Sequence, residues 1–224
     1  MNMPAKMAGA APTPITGLIL AGGLARRLGQ VDKALVSLAG RPLLAHVMER
    51  LSSQVDRMVI SANGNSERFA TFGLPVLADL RSSGQGPLAG VEAAFVGTGA
   101  AWVLSVAVDL PFLPVDLADR LREPLQRGPG DQAVVAVSAG QCHHVVALWP
   151  RSALASVTAA LDNGRLALRD WFRHHPHRQA VFPVASHAPD PFFNINRPTD
   201  LQVAEALCVK QAATGTAPTD FTST

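Results

Sequence analysis

ITGLILAGGLARRLGQVDK, residues 15–33, begins with an apolar run that ends at Leu20 and then breaks at Gly22 and Gly23. The run reads as a buried strand. Arg26, Arg27, Gly29 and Lys33 follow the glycine pair. Adjacent glycines lack the Cβ atoms that would hold a ligand away from the backbone. Successive bare N–H groups can then form a concave anion site. Two arginines and a lysine bring enough positive charge to neutralise a polyphosphate. The stretch predicts a nucleoside triphosphate gripped at the first strand–loop turn. It is neither a Walker-type loop nor a dinucleotide-binding Gly-x-Gly-x-x-Gly, and the bland alternative is a simple tight turn.

Downstream, short apolar runs alternate with helical patterns. Strands are predicted at 17–20, 58–62, 76–77, 102–108, 133–137, 145–148 and 181–184. Helices are predicted at 42–51, 88–96, 117–126, 152–161, 167–173 and 199–207. Pro42 suits a first helical turn, where its missing N–H costs little, and Asp162-Asn163-Gly164 reads as a helix stop. Strand–helix alternation predicts an α/β fold: a doubly wound, mostly parallel sheet in a Rossmann-like three-layer arrangement. Such sheets bind ligands at the carboxyl ends of their strands. Leu20, Ala62, Leu77 and Val108 each end a predicted strand just before residues with chemistry. The expected organisation is a loose leader at 1–14, one domain at 15–209 and a disordered tail at 210–224.

Hydrophobic residues make up 48% of the 224-residue chain, which is ample for a core. The net charge of +2, without basic runs, gives no general attraction to nucleic acid or to an anionic membrane. No apolar stretch approaches the ~20 residues of a membrane span, and no secretory signal is visible. Cys142 and Cys208 form neither a disulfide framework nor a Cys-x-x-Cys pair. These features predict a cytoplasmic protein with reduced thiols.

Asp109 follows an apolar strand. A carboxylate there can hold Mg²⁺, which prefers oxygen ligands and substrate phosphates; it could equally cap a turn. Asp79 and Asn63 lie just beyond two other strand ends, and a solvated loop is the bland reading of Asp79. The glycine-flanked Pro87 leads into a helix whose N-terminus would favour an anion, or merely begin the helix. His174, His175 and His177 read as a solvated helix end rather than a metal site. No Ser/His/Asp set carries a triad signature. Asn194 and Asn196 would face one side if they lay on a strand, offering carboxamide donors and acceptors together, or they form a structural turn before Pro198.

LAGGLARRLGQVDK at 20–33, GRPLLAHV at 40–47, GPLAG at 86–90, DLPFLP at 109–114 and FNINRP at 193–198 occur in this order. The set resembles the nucleotidyltransferases and, within them, the molybdenum cofactor guanylyltransferases. The resemblance implies transfer of GMP from GTP to the terminal phosphate of Mo-molybdopterin, with Mg²⁺ as cofactor. It implies catalytic roles for Arg27, Lys33 and Asp109, with Asp109 holding the metal. Nucleotide contacts are implied at Leu20, Ala21, Gly22, Gly23, Lys33, Ser61, Asn63, Asp79 and Asp109. Gly86, Pro87, Gly90, His143, Asn194 and Asn196 are implied on the pterin side. Ser61 stands where the family has a nucleotide-contacting asparagine, so that contact is lost, bridged by water or taken over by Asn63. His144 replaces the proline of the family's His-Pro. Molybdoenzymes or their chaperones are the implied recipients of the product. The alternatives are a cytidylyl or sugar-phosphate transferase, or a non-catalytic nucleotide-binding module.

Overall fold

The computed structural model describes residues 13–22, 24–25, 31–81, 86–127, 130–184 and 189–214. Its strands are β1 (Ile15–Leu20), β2 (Leu24–Ala25), β3 (Val31–Asp32), β4 (Ser37–Leu38), β5 (Arg41–Pro42), β6 (Arg57–Ser61), β7 (Val76–Leu77), β8 (Trp102–Ala107), β9 (Ala133–Ser138), β10 (Gln141–Pro150) and β11 (His177–Phe182). Its helices are α1 (Leu43–Leu51), α2 (Pro87–Thr98), α3 (Leu117–Arg122), α4 (Leu154–Asp162), α5 (Leu168–His174) and α6 (Pro198–Thr214).

Seven strands form one sheet in the order β11-β9-β10-β8-β1-β6-β7. All pairings are parallel except those of β10, which runs antiparallel to both β8 and β9. β2–β3 and β4–β5 are separate antiparallel ribbons. The central strands are apolar on both faces because helices cover both. On one face, Ile19, Leu104 and Val106 pack with Leu44, Val47 and Leu51 of α1 and Leu117 and Leu121 of α3. On the other, Leu18, Val103 and Trp149 pack with Leu88, Val91 and Phe95 of α2, Val157 of α4, and Trp171 and Phe172 of α5. Ala204 of α6 joins Leu38, Leu43, Phe112 and Ile195 in a smaller cluster.

The architecture is the predicted α/β sandwich, with local differences. β10 begins at Gln141, not at 145, and so carries both His143 and His144. β11 starts at His177 rather than 181. Helix α3 stops at Arg122 and continues as a 3-10 turn, Glu123–Arg127, because Pro124 cannot extend an α-helical ladder. Pro42 precedes α1 rather than opening it, whereas Pro87 does occupy the first turn of α2. Helix α6 extends to Thr214, past the boundary expected at 210. The remainder of the expected tail, 215–224, and leader residues 1–12 lie outside the described residues. No helix of the described residues is long and apolar enough to cross a membrane.

Candidate active site

Parallel register brings the strand ends together. Leu20 pairs with Ser61 on one side and Ala107 on the other, and Ser61 pairs with Leu77. The backbone continues this stitching: Ala21 N donates to Ser61 O at 2.9 Å, Ala62 N to Leu77 O at 3.0 Å, and Val108 N to Leu20 O at 3.1 Å. Ala21 is buried, while Gly22 is exposed, and a Cβ added there would meet nothing within 4 Å. Protein packing therefore does not demand glycine at 22. Gly23, Arg26, Arg27 and Gly29 lie outside the described residues.

Asp32 sets the position of Lys33. Its carboxylate accepts from Ala34 N at 3.0 Å and from Arg68 Nε at 2.6 Å. Arg68 also donates to Asn63 O at 3.0 Å. The Lys33 ammonium lies 2.5 Å from Asp109 Oδ2 and 2.5 Å from Asn196 Oδ1. Asn196 Nδ2 donates to Asn194 Oδ1, and Ile195 N donates to Asp109 O at 3.1 Å. Lys33, Asp109, Asn194 and Asn196 thus converge, although the asparagines lie on an irregular segment rather than a strand. Asp109 is 7% exposed, and its Oδ1 is buried without a hydrogen-bond partner among the described residues. A buried carboxylate oxygen left unpaired is costly. A hard cation suits it, because such ions take oxygen ligands. The donor set, one carboxylate beside a lysine that can counter phosphates, fits a divalent metal bound together with substrate oxygens.

Asn63 and Asp79 form a reciprocal pair. Asn63 Nδ2 donates to Asp79 Oδ2 at 2.8 Å, and Asp79 N donates to Asn63 Oδ1 at 2.9 Å. Asp79 is therefore a held carboxylate rather than a freely solvated one. Ser61 is only 6% exposed and sits beneath α2. A Cβ on Gly90 would lie 2.6 Å from Ser61 Oγ and 2.7 Å from Leu20 Cδ2. Gly90 is buried and lets α2 approach the sheet. The same contact turns Ser61 toward the helix.

Gly86 has φ 72° and precedes Pro87 at the start of α2. A Cβ on Gly86 would lie 3.0 Å from Leu166 O, so glycine satisfies both conformation and space. Residues 82–85 lie outside the described set. Just before them, Arg81 donates to Glu92 through Nε at 3.1 Å and Nη2 at 3.0 Å, and also to Asp162. Thr158 Oγ1 donates to Glu92 at 2.7 Å. Hydrogen bonding from Arg81 lowers the Glu92 pKa, opposed by burial and assisted by Thr158. Sequence reading missed this clamp; the buried position of a charged residue within apolar α2 is the signal that a partner exists.

His143 Nε2 is 2.6 Å from Ser138 Oγ, and its ring centroid is 4.6 Å from that of Phe192. Burial lowers its pKa, while Asp190 opposes. Asp190 also accepts from Ser138, so a Ser/His/Asp cluster forms where none was signalled. His144 packs 5.7 Å from Phe172; burial lowers its pKa, with His177, Arg169 and His143 adding to the effect. His174, His175 and His177 each place Nδ1 against a backbone carbonyl, and His175 stacks on Trp171 at 4.4 Å. His175 and His177 pack against aromatic rings, whereas His174 is exposed at the helix end, as expected.

Residues 17–180 match the family model for a MobA-like NTP transferase domain. The chain is 44% identical over 201 residues to the molybdenum cofactor guanylyltransferase of Mesorhizobium japonicum, covering 86% of this chain and 95% of that one. It is 44% identical over 206 residues to the enzyme of that name from Rhodopseudomonas palustris strain HaA2, covering 89% and 94%. Among solved structures, it resembles the molybdopterin-guanine dinucleotide biosynthesis protein A of Archaeoglobus fulgidus. There the TM-score is 0.71 at 25% identity, covering 87% of this chain and 99% of that one.

Proposed function

The chain belongs to the MobA-like nucleotidyltransferases, among the molybdenum cofactor guanylyltransferases, and on that premise we propose how its site performs GMP transfer from GTP to Mo-molybdopterin. The observation that carries the assignment of residues is the meeting of Lys33, Asp109 and Asn196 around an unpaired Asp109 Oδ1. A terminal phosphate oxygen of the pterin forms the new bond to the GTP α-phosphorus. The bond from that phosphorus to the β-phosphate bridging oxygen breaks, and pyrophosphate leaves with the electron pair. Because the nucleophile is already an anion, no strong protein base is required. Positioning and charge neutralisation dominate.

Lys33 turns from Asp109 to the β- and γ-phosphates and stabilises the departing pyrophosphate. Arg27 would add charge to the same leaving group, and Leu20, Ala21, Gly22 and Gly23 would offer backbone donors to the phosphates. Asp109 would hold Mg²⁺, its Oδ1 having no partner among the described residues. When bound, Mg²⁺ supplies Lewis-acid neutralisation of phosphate charge. Asp79, fixed by Asn63, accepts from guanine N1–H and the exocyclic amine, a donor pair that adenine lacks. Ser61 supports this edge from beneath rather than by touching the base. Asn194 and Asn196, with Gly86 and Pro87 across the edge, face the acceptor, and the product passes to molybdoenzymes or their chaperones. GTP supply and the two free cysteines, Cys142 and Cys208, favour a cytoplasmic setting.

The test is Mg²⁺-dependent pyrophosphate release from GTP, CTP and ATP with the pterin acceptor. Asp109→Asn and Lys33→Ala should each lower the GTP rate by about 100-fold or more while remaining folded. Asp79→Ala should narrow the preference for GTP. Near-normal turnover in either of the first two variants would overturn their assignment.

A further inference from the structure

The sheet edge that carries Asp109 also holds a buried polar network that phosphate binding does not use. Ser138 closes β9 and is fully buried. Its Oγ lies 2.6 Å from His143 Nε2 and 2.9 and 2.7 Å from the two Asp190 carboxylate oxygens. A hydroxyl has one proton, and a carboxylate only accepts. Ser138 therefore donates to Asp190 and accepts from His143, which must carry its proton on Nε2. This order, with serine in the middle and inaccessible, is not that of a nucleophile and its base.

Asp190 in turn shapes the segment that follows it. Its Oδ1 accepts from Phe192 N at 2.7 Å, and its carbonyl accepts from Phe193 N at 2.9 Å. Phe192 packs between the rings of His143 at 4.6 Å and Phe182 at 5.0 Å. Beyond it, Ile195 N reaches Asp109 O, and Asn196 reaches Lys33. Residues 190–196 thus form a strap, moored to β9 and β10 at one end and to the Lys33–Asp109 pair at the other.

We infer that Asp190, Ser138 and His143 are positioning residues that hold this strap so that Asn194 and Asn196 meet the acceptor's terminal phosphate. The inference rests on the guanylyl-transfer reading, because it assigns the strap to the acceptor side of that site. An apolar trio would satisfy packing alone at less desolvation cost. What the polar network adds is a direction for the turn at 190–193.

The experiment uses the full chain and the variants Ser138→Ala and Asp190→Asn. The latter keeps the side-chain shape but places an N–H where Ser138 now donates, and it carries the test if Ser138→Ala does not fold. Nitrogen-15 shifts of wild-type His143 should show the Nε2–H tautomer. Amide exchange at Phe192 and Ile195 should quicken about tenfold in the variants. The KM for the pterin acceptor should rise about five- to tenfold, with kcat and Mg²⁺-dependent GTP affinity nearly unchanged. In an Asn194→Ala/Asn196→Ala background, Ser138→Ala should add no further rise in acceptor KM. An Nδ1–H tautomer, unchanged strap exchange, or multiplying effects of Ser138→Ala and the double asparagine substitution would overturn the inference. Failure of the wild-type protein to release pyrophosphate would instead strike the guanylyl-transfer reading, and the tautomer and exchange measurements would still judge the strap.

Discussion

Replacing Gly90 by alanine tests whether the approach of α2 sets the nucleotide edge. The added methyl would lie 2.6 Å from Ser61 Oγ, 2.7 Å from Leu20 Cδ2 and 3.1 Å from Ser61 Cβ. Leu20 Cδ2 ends a flexible side chain, but Ser61 is buried at the end of β6, so the helix must move. Overpacking of this kind costs about 1–3 kcal/mol. Alanine's better helix propensity returns up to about 1 kcal/mol. From the middle of the overpacking range, about 2 kcal/mol, the net loss is about 1–2 kcal/mol, or roughly 2–8 °C in Tm for a chain of this size. Adding Ser61→Ala removes the 2.6 Å contact but leaves the one at 3.1 Å, so it should restore about half of the loss. Thermal unfolding of the two single variants and the double variant measures this directly, and GTP affinity should follow the same order. An undiminished Tm in Gly90→Ala, or losses that simply add in the double variant, would refute the reasoning.

Ser105→Ala removes the acceptor of the buried Trp149 Nε1–H, now bonded at 2.9 Å, and should cost about 1–3 kcal/mol by denaturant unfolding. Acidification gives a further expectation. His143 and His144 both have lowered pKa values, chiefly through burial. Between pH 7 and 5 the unfolded chain takes up protons that the folded chain resists, so stability should fall with pH across that window. His144→Gln should flatten the slope, and an unchanged Tm–pH curve in that variant would contradict the burial argument. Glu92, whose pKa is lowered first by Arg81, contributes only below this window, as pH falls through the carboxylate range.

Strand-end logic made much of the site legible. An apolar run followed by a functional residue marks the same sheet edge each time, so Lys33, Asp109, Asn63 and Asp79 could be placed near one another before any coordinates. The specific pairings could not. Asn196 meets Lys33 across 163 residues, and Ser138 meets Asp190 across 52, with no local periodicity to announce either. The insertion of antiparallel β10 between two parallel strands was equally hidden, because strand order is a tertiary choice. A glycine beside a loop looks the same in sequence whether it makes room for a ligand or for a helix, so the close approach of Gly90 to Ser61 was hidden too. The place of His143 on β10 was hidden because that strand was expected to begin only at 145.

The contact from Lys33 to Asn196 also bears on the order of synthesis. The ribosome makes the phosphate turn almost at once, yet its lysine receives the last of its neighbours only when nearly the whole polypeptide has emerged. Fragments released early, by a stalled ribosome or by a protease, therefore carry the glycine turn without the asparagine that completes it. On the guanylyl-transfer reading proposed above, they would lack the finished cradle with which to sequester cellular GTP.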